Sequence, residues 1–149
     1  MVKRIAIGSD HGGFRLKEFL KKYLSGKGYS VKDFGTETAD PCDYPLIGYK
    51  VAKSVSSSKF KSAILICKTG IGMAIIANKA PGVRSGVAST LGQAKTSRQH
   101  NDTNVLSLAA KYITFNMAKK IVSVWLKTES LAGRHGRRVN QIKKLEKKG

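Results

Sequence analysis

Five consecutive apolar residues, Ala63-Ile64-Leu65-Ile66-Cys67, narrow the possible folds more than any other stretch of the chain. The run is too short for a helix and offers no polar face, so it fits a strand buried on both sides. Such strands belong to parallel sheets covered by helices above and below. The rest of the sequence alternates accordingly. Lys3–Gly8 is a short strand-forming run that ends at a glycine loop. Phe14–Leu24 places Leu16, Phe19, Leu20, Tyr23 and Leu24 at helical spacing between charged residues. Gly26 and Gly28 stop that helix, and Tyr29–Phe34 reads as the second strand. Asp43-Tyr44-Pro45 opens a helix that runs to the Ser54–Ser58 turn, and Thr69-Gly70-Ile71-Gly72 turns into another that ends near Asn78. Gly82–Ser89 and Asn104–Ala109 are predicted as the fourth and fifth strands, with a helix from Leu91 to about Gln99 between them. Thr114–Leu126 is a long amphipathic helix and Arg137–Lys147 a basic terminal one. The pattern predicts an α/β fold with a five-stranded parallel sheet. No repeat or composition break divides residues 1–149, so one domain is expected.

Several function classes are disfavoured at once. No run of about 18 apolar residues occurs, so no membrane-spanning helix is expected. The first apolar stretch is cut off by Asp10-His11-Gly12-Gly13, too early for the core of a secretion signal. Cys42 and Cys67 have no partners at metal spacing, and reduced thiols in a cytoplasmic protein are the expectation. His11, His100 and His135 form no pair at ligand spacing; Asp10 beside His11 is the nearest approach to a metal site, and none is predicted. The formal charge of +19 is compatible with an anionic partner such as nucleic acid or a phosphorylated metabolite. Much of that charge falls at what reads as outer helix faces (Lys17, Lys21, Lys22, Lys119, Lys120, Lys143, Lys144, Lys147, Lys148), where a solvated surface suffices to explain it.

In open α/β sheets ligands sit beyond the carboxyl ends of the strands. After the first strand comes Ser9-Asp10-His11-Gly12-Gly13. Its glycines lack the spacing of a dinucleotide loop, and Asp10 would face a pyrophosphate, although Asp33 does end the second strand. No Walker-type Gly-Lys-Ser/Thr occurs, so nucleotide binding is disfavoured. After the third strand comes Cys67-Lys68-Thr69-Gly70-Ile71-Gly72. A cysteine ending a buried strand is often plain core. Here a glycine-rich turn into a helix gathers backbone N–H groups beside the thiol, surroundings that favour thiolates and supply donors for an oxyanion. A base and an oxyanion site side by side suit proton abstraction next to a carbonyl. His100, between Gln99 and Asn101-Asp102, is a candidate acid–base group or a surface residue at a helix end. Arg134 and Arg138, four apart, can grip a phosphate if that stretch is helical, or can be a solvated face; His135 and Arg137 read as surface residues.

Taken in order, Gly8-Ser9-Asp10-His11-Gly12-Gly13, Asp43-Tyr44-Pro45, Cys67 to Met73 running into Ala77-Asn78-Lys79, Ser97 to Asp102, and Gly133-Arg134-His135 followed by Arg138-Val139 resemble ribose-5-phosphate isomerases of type B, a family that includes allose and galactose 6-phosphate isomerases. The resemblance spans about Arg4 to Ile142. It implies a Rossmann-like three-layer α/β/α sandwich, no cofactor, and a homodimer or homotetramer with active sites at subunit interfaces. It implies that Cys67 shuttles a proton between C1 and C2 of the sugar, and that His100 opens the furanose ring with help from Asp10 and Thr69. It further implies that the backbone from Lys68 through Thr69, Gly70 and Ile71 to Gly72 holds the enediolate. Asn101 would contact the sugar, His11, Arg134 and Arg138 the phosphate, and Tyr44 the pocket wall.

Two positions depart from the family pattern: Lys68 stands where glycine commonly follows the cysteine, and Lys111 where an arginine is common, which removes a planar fork from one phosphate contact. The reading is an isomerase of ribose 5-phosphate and ribulose 5-phosphate, with Cys67 and His100 of one site taken from different chains. A hexose 6-phosphate isomerase of the same family is the alternative. A basic nucleic-acid-binding protein is the alternative of another class, although no recognised reading motif supports specific nucleic-acid binding.

Overall fold

The computed structural model describes residues 2–149. Its elements are β1 (Lys3–Ser9), a 3₁₀ turn over His11–Gly13, α1 (Phe14–Gly26), β2 (Tyr29–Asp33), α2 (Tyr44–Ser56), β3 (Ala63–Cys67), α3 (Ile71–Ala77), β4 (Ser85–Val87), α4 (Leu91–Asn101), β5 (Val105–Ala109), α5 (Phe115–Lys127) and α6 (Arg134–Lys148). The five strands are all parallel, in the order β2-β1-β3-β5-β4. The α/β architecture expected from the sequence is present.

Each face of the sheet has its own apolar core. On one, Ile5, Ile7, Ile64, Ile66, Leu106 and Leu108 meet Leu16 and Leu20 of α1, Ala94 of α4, and Ile121, Val122 and Trp125 of α5. On the other, Ala6, Leu65, Cys67 and Val105 meet Val51 and Ala52 of α2 and Met73 and Ala77 of α3. Alternate residues of β3 thus serve opposite cores, which is why no position in it tolerates a polar side chain. Full burial of each large aliphatic chain is worth about 1.5–3 kcal/mol. Thr90 and Thr114 cap α4 and α5 by accepting from the amides of Gln93 and Met117.

Boundaries differ most from the sequence expectation at β4 and α6. β4 spans only Ser85–Val87, because the preceding backbone is diverted to side chains: the Asn78 amide group bonds Ser85 at both N and O, and Asn104 accepts from Arg84 N. α6 begins at Arg134 rather than Arg137, carrying Gly136 within its first turn. α2 ends at Ser56, within the expected Ser54–Ser58 turn and ahead of Ser58 with its positive φ of 63°.

Lys17 departs most from expectation. It does not lie on a solvated face; its side chain is fully buried and bonds the Asp33 carboxylate, which also accepts from Lys21 at 2.8 Å and from the Gly35 amide at 2.8 Å. Burial pushes the Asp33 carboxyl up, but the hydrogen bonds from Lys17, Lys21 and Gly35 outweigh it and hold the group below the usual carboxylate range. Asp33→Ala leaves the buried Lys17 ammonium only the half-exposed Glu18 carboxylate at 3.3 Å and should cost about 1–3 kcal/mol in urea unfolding, less than breaking a fully buried pair. Because the folded pKa is depressed, this contribution is complete above the ordinary carboxylate value of 3.8 and is lost below it, as pH falls through the lower folded value. A variant as stable as wild type at neutral pH would show that Glu18 alone suffices for Lys17.

Candidate active site

The strand order reverses between β1 and β3, with β2 on one side and β5-β4 on the other. Loops leaving the carboxyl ends of β1 and β3 therefore diverge and leave a crevice between them. Asp10 follows β1; it is buried and accepts from the Gly13 amide at 3.1 Å, which closes the 3₁₀ turn. Its neighbour His11 is exposed, and its Nδ1 accepts from the Cys42 backbone amide at 3.1 Å. The same nitrogen lies 3.2 Å from the Cys42 carbonyl oxygen, so the Cys42 main chain holds the ring in place. The Cys42 backbone was no part of the sequence reading, since nothing in the residue type marks a main-chain contact.

Cys67 ends β3, buried at 5 % exposure. The chain then turns through Gly70 at φ 76°, where a Cβ would approach the Leu108 carbonyl carbon and Val87 Cγ1 at 3.1 Å. Among the described residues the amides of Lys68, Thr69, Gly70 and Gly72 have no protein acceptor, while Ile71 N donates to Thr69 Oγ1 at 3.3 Å. The Thr69 hydroxyl proton remains free to donate. Tyr44, the first residue of α2, lies against this turn so closely that a Cβ on Gly72 would come within 2.7 Å of its ring. The backbone of Lys111 is tied to the same loop, its N donating to Lys68 O at 2.9 Å. Asp10, His11, Tyr44, Cys67, Lys68, Thr69, Gly70, Ile71, Gly72 and Lys111 thus gather at one edge of the sheet. Ile71, Lys68 and Lys111 are exposed.

The remaining candidates do not join them. α4 starts beyond the carboxyl end of β4 and runs back to the amino end of β5, so His100 and Asn101 in its last turn lie at the opposite edge. The register pairs Ala63 with Val105 and Cys67 with Ala109, and this span of strand is about 13 Å long. α5 likewise returns to the amino edge, where Leu131 N donates to Gln99 O at 3.0 Å and α6 begins. Arg134 and Arg138 are helical and exposed, and neither has a carboxylate partner among the described residues. His135, read from sequence as a plain surface residue, stacks its ring on that of His100 with centroids 4.1 Å apart and planes 6° from parallel. Partial burial, then the neighbouring charges of His100, Arg134 and Arg138, hold His135 below the ordinary histidine range. Starting the helix at Arg134 would have put His135 on its first turn; placing the start at Arg137 hid it.

Asp33, whose carboxylate would hold a ribose in a dinucleotide site, is committed to Lys17, Lys21 and Gly35. Among the described residues no three His, Cys, Asp or Glu side chains are grouped to hold a metal ion, and no helix is long and apolar enough to cross a membrane.

A family model described as ribose/galactose isomerase matches residues 5–142. The chain is 42% identical over 147 residues to ribose-5-phosphate isomerase B of Escherichia coli, covering 99% of both chains. Its fold superposes on ribose-5-phosphate isomerase B of Clostridium thermocellum with a TM-score of 0.95 at 46% identity, covering 97% of this chain and 98% of that one. The Mycoplasma genitalium enzyme of the same name, solved with bound ribulose 5-phosphate, gives 0.95 at 36% identity over 100% of this chain and 99% of its own. On sequence and fold together, the chain belongs to the ribose/galactose isomerase family.

Proposed function

We propose that the protein interconverts ribose 5-phosphate and ribulose 5-phosphate through an enediolate. Family membership supports the reaction class, and the relative solved with ribulose 5-phosphate supports the pentose. The observation that carries the assignment is Cys67 at the end of β3, next to four backbone amides without acceptors among the described residues.

The chemistry follows from that juxtaposition. With the open-chain aldose in the crevice, the Cys67 thiolate takes the proton from C2, and the C1 carbonyl becomes an oxyanion. Amides already fixed by the Gly70 turn meet this charge without reorganising, which is where such sites gain most of their advantage. The O2 hydroxyl proton passes to O1, the thiol returns its proton to C1, and the ketose forms with no net change in the enzyme. His100 protonates the ring oxygen when the furanose opens, with Asp10 and Thr69 completing the polar wall. His11, Arg134 and Arg138 hold the phosphate, with Lys111 as a point charge in place of a fork.

Cys67 and His100 lie at opposite edges of one sheet, so both roles require two chains: the carboxyl edge of one subunit facing the amino edge of its partner. A symmetric homodimer would then carry two sites, each built from both chains. We place the enzyme in the cytoplasm, consistent with two cysteines that are not bridged to one another. A coupled assay over ribose, allose and galactose phosphates, without added metal and with a chelator present, tests the whole reading. Turnover should be highest with ribose 5-phosphate. Preference for a hexose 6-phosphate would move the substrate, and chelator-sensitive turnover would refute the metal-free route.

A further inference from the structure

Between the ends of α1 and α5 and the starts of β1 and β2 lies a cavity of about 650 Å³ that the isomerase chemistry does not use. Its volume is that of an ordinary small-molecule site. Tyr23 and Tyr29 line it, both half-buried against the core, together with Lys3, Lys27, Lys127 and Ser123. Lys27 and Lys119 both lie over the Tyr23 ring, at 5.8 and 6.0 Å, and Lys3 lies over Tyr29 at 5.9 Å. Lys119, Ser123 and Lys127 recur every fourth residue and so share one face of α5.

Among the described residues, the lysine side chains do not hydrogen-bond the helix-end carbonyls. At the end of α1 the amide of Lys27 bonds the carbonyls of Tyr23 and Leu24, and that of Gly28 bonds Ser25. At the end of α5, Val124 O accepts from both the amide and the hydroxyl of Thr128. Nor are they in ion pairs: among the described residues Lys3, Lys27, Lys119 and Lys127 have no carboxylate partner, and Glu129 is the cavity's one acidic lining residue. Three lining ammonium groups, with Lys119 beside Tyr23, outnumber the single Glu129 carboxylate around two aromatic rings and attract a ligand with the matching pair of features, a multiply charged anion joined to a flat ring.

We infer that this cavity is a second ligand site, distinct from the isomerase half-sites, and that it takes a nucleoside phosphate. The base stacks on a tyrosine ring, from which a lysine swings aside, and the phosphates draw the lysines together. Sugar phosphates lack the flat ring and inorganic phosphates lack any stacking partner, so neither satisfies both halves of the cavity.

Calorimetric titration of the wild-type protein with ADP, adenosine and pyrophosphate tests this. ADP should bind, and more tightly than adenosine or pyrophosphate. The double variant Lys27→Glu/Lys119→Glu should weaken ADP by about tenfold or more while leaving isomerase turnover unchanged, since charge reversal near a partly exposed anion has effects of that order. Saturating ribose 5-phosphate should not displace ADP. The inference falls if ADP gives no heat at millimolar concentration, if the double variant binds it as wild type does, or if pyrophosphate binds equally well. Displacement by ribose 5-phosphate would overturn it too, by placing the nucleotide in the sugar-phosphate site. None of these results bears on whether the isomerase reading holds, which rests on the aldose panel.

Discussion

Cys67→Ala should lower kcat by about 10²–10⁴-fold or more, the usual cost of losing a positioned general base, with the fold and substrate affinity largely intact. The side chain sits at the junction of β3 and the loop, where removing one sulfur opens only a small space against Met73 and Leu65. Stability should therefore change far less than rate. Cys67→Ser should be nearly as slow, because a hydroxyl held in the same place is a much weaker base than a thiolate. A rate measured with ribulose 5-phosphate as well as ribose 5-phosphate separates this from a defect in ring opening. If the alanine variant keeps more than about a tenth of the wild-type kcat, a loss smaller than a general base accounts for, the base is another group.

Mixing two dead proteins should produce a live one. Cys67→Ala damages the carboxyl edge and His100→Asn the amino edge, and these edges lie on opposite sides of the same sheet. In a mixed dimer one interface collects both lesions and the other collects neither. With equal amounts and free exchange, half the dimers are mixed, so about a quarter of the sites should be intact. Activity should rise with the time course of exchange, followed by native mass spectrometry. If exchange is complete and the mixture stays inactive, the two residues do not share a site across chains. Each lesion alone must be inactive for the test to count, and Cys67→Ala with His100→Asn on one chain supplies the control, since it leaves no interface free of damage.

The layout behind that experiment was only partly legible in the sequence. Ala63–Cys67 announced a doubly buried strand because every position had to satisfy one of two cores. The loops after β1 and β3 could be found because glycines and polar residues interrupt apolar runs there. What the spacing did not reveal is which edge each loop occupies once helices reverse direction. His100 and Cys67 look like members of one list until the topology puts them at opposite ends of strands about 13 Å long. Lys17 failed for a different reason. On a helical wheel it falls between Leu24 and Lys21, at the edge of the apolar face, and only the tertiary placement of Asp33 makes that edge fit for a buried ammonium. His135 was missed because its importance comes from a stacking partner more than thirty positions away in the chain, which neither composition nor periodicity encodes. The short β4 reflects competition: Asn78 and Asn104 take backbone groups that the propensity of the segment would have given to the ladder.

If, as proposed, one reaction centre is split between opposite ends of the same sheet, catalysis is a property of encounter rather than of the folded chain. A lone subunit would be perfectly folded and wholly inert, holding a base with nothing to open the sugar and a phosphate grip with nothing to transform. Below the dissociation constant of the pair, output would then rise with the square of chain concentration instead of in proportion to it. Anything that loosens the association, such as dilution, would act on rate as surely as a lesion in the cysteine, and would leave no mark on the structure of either half.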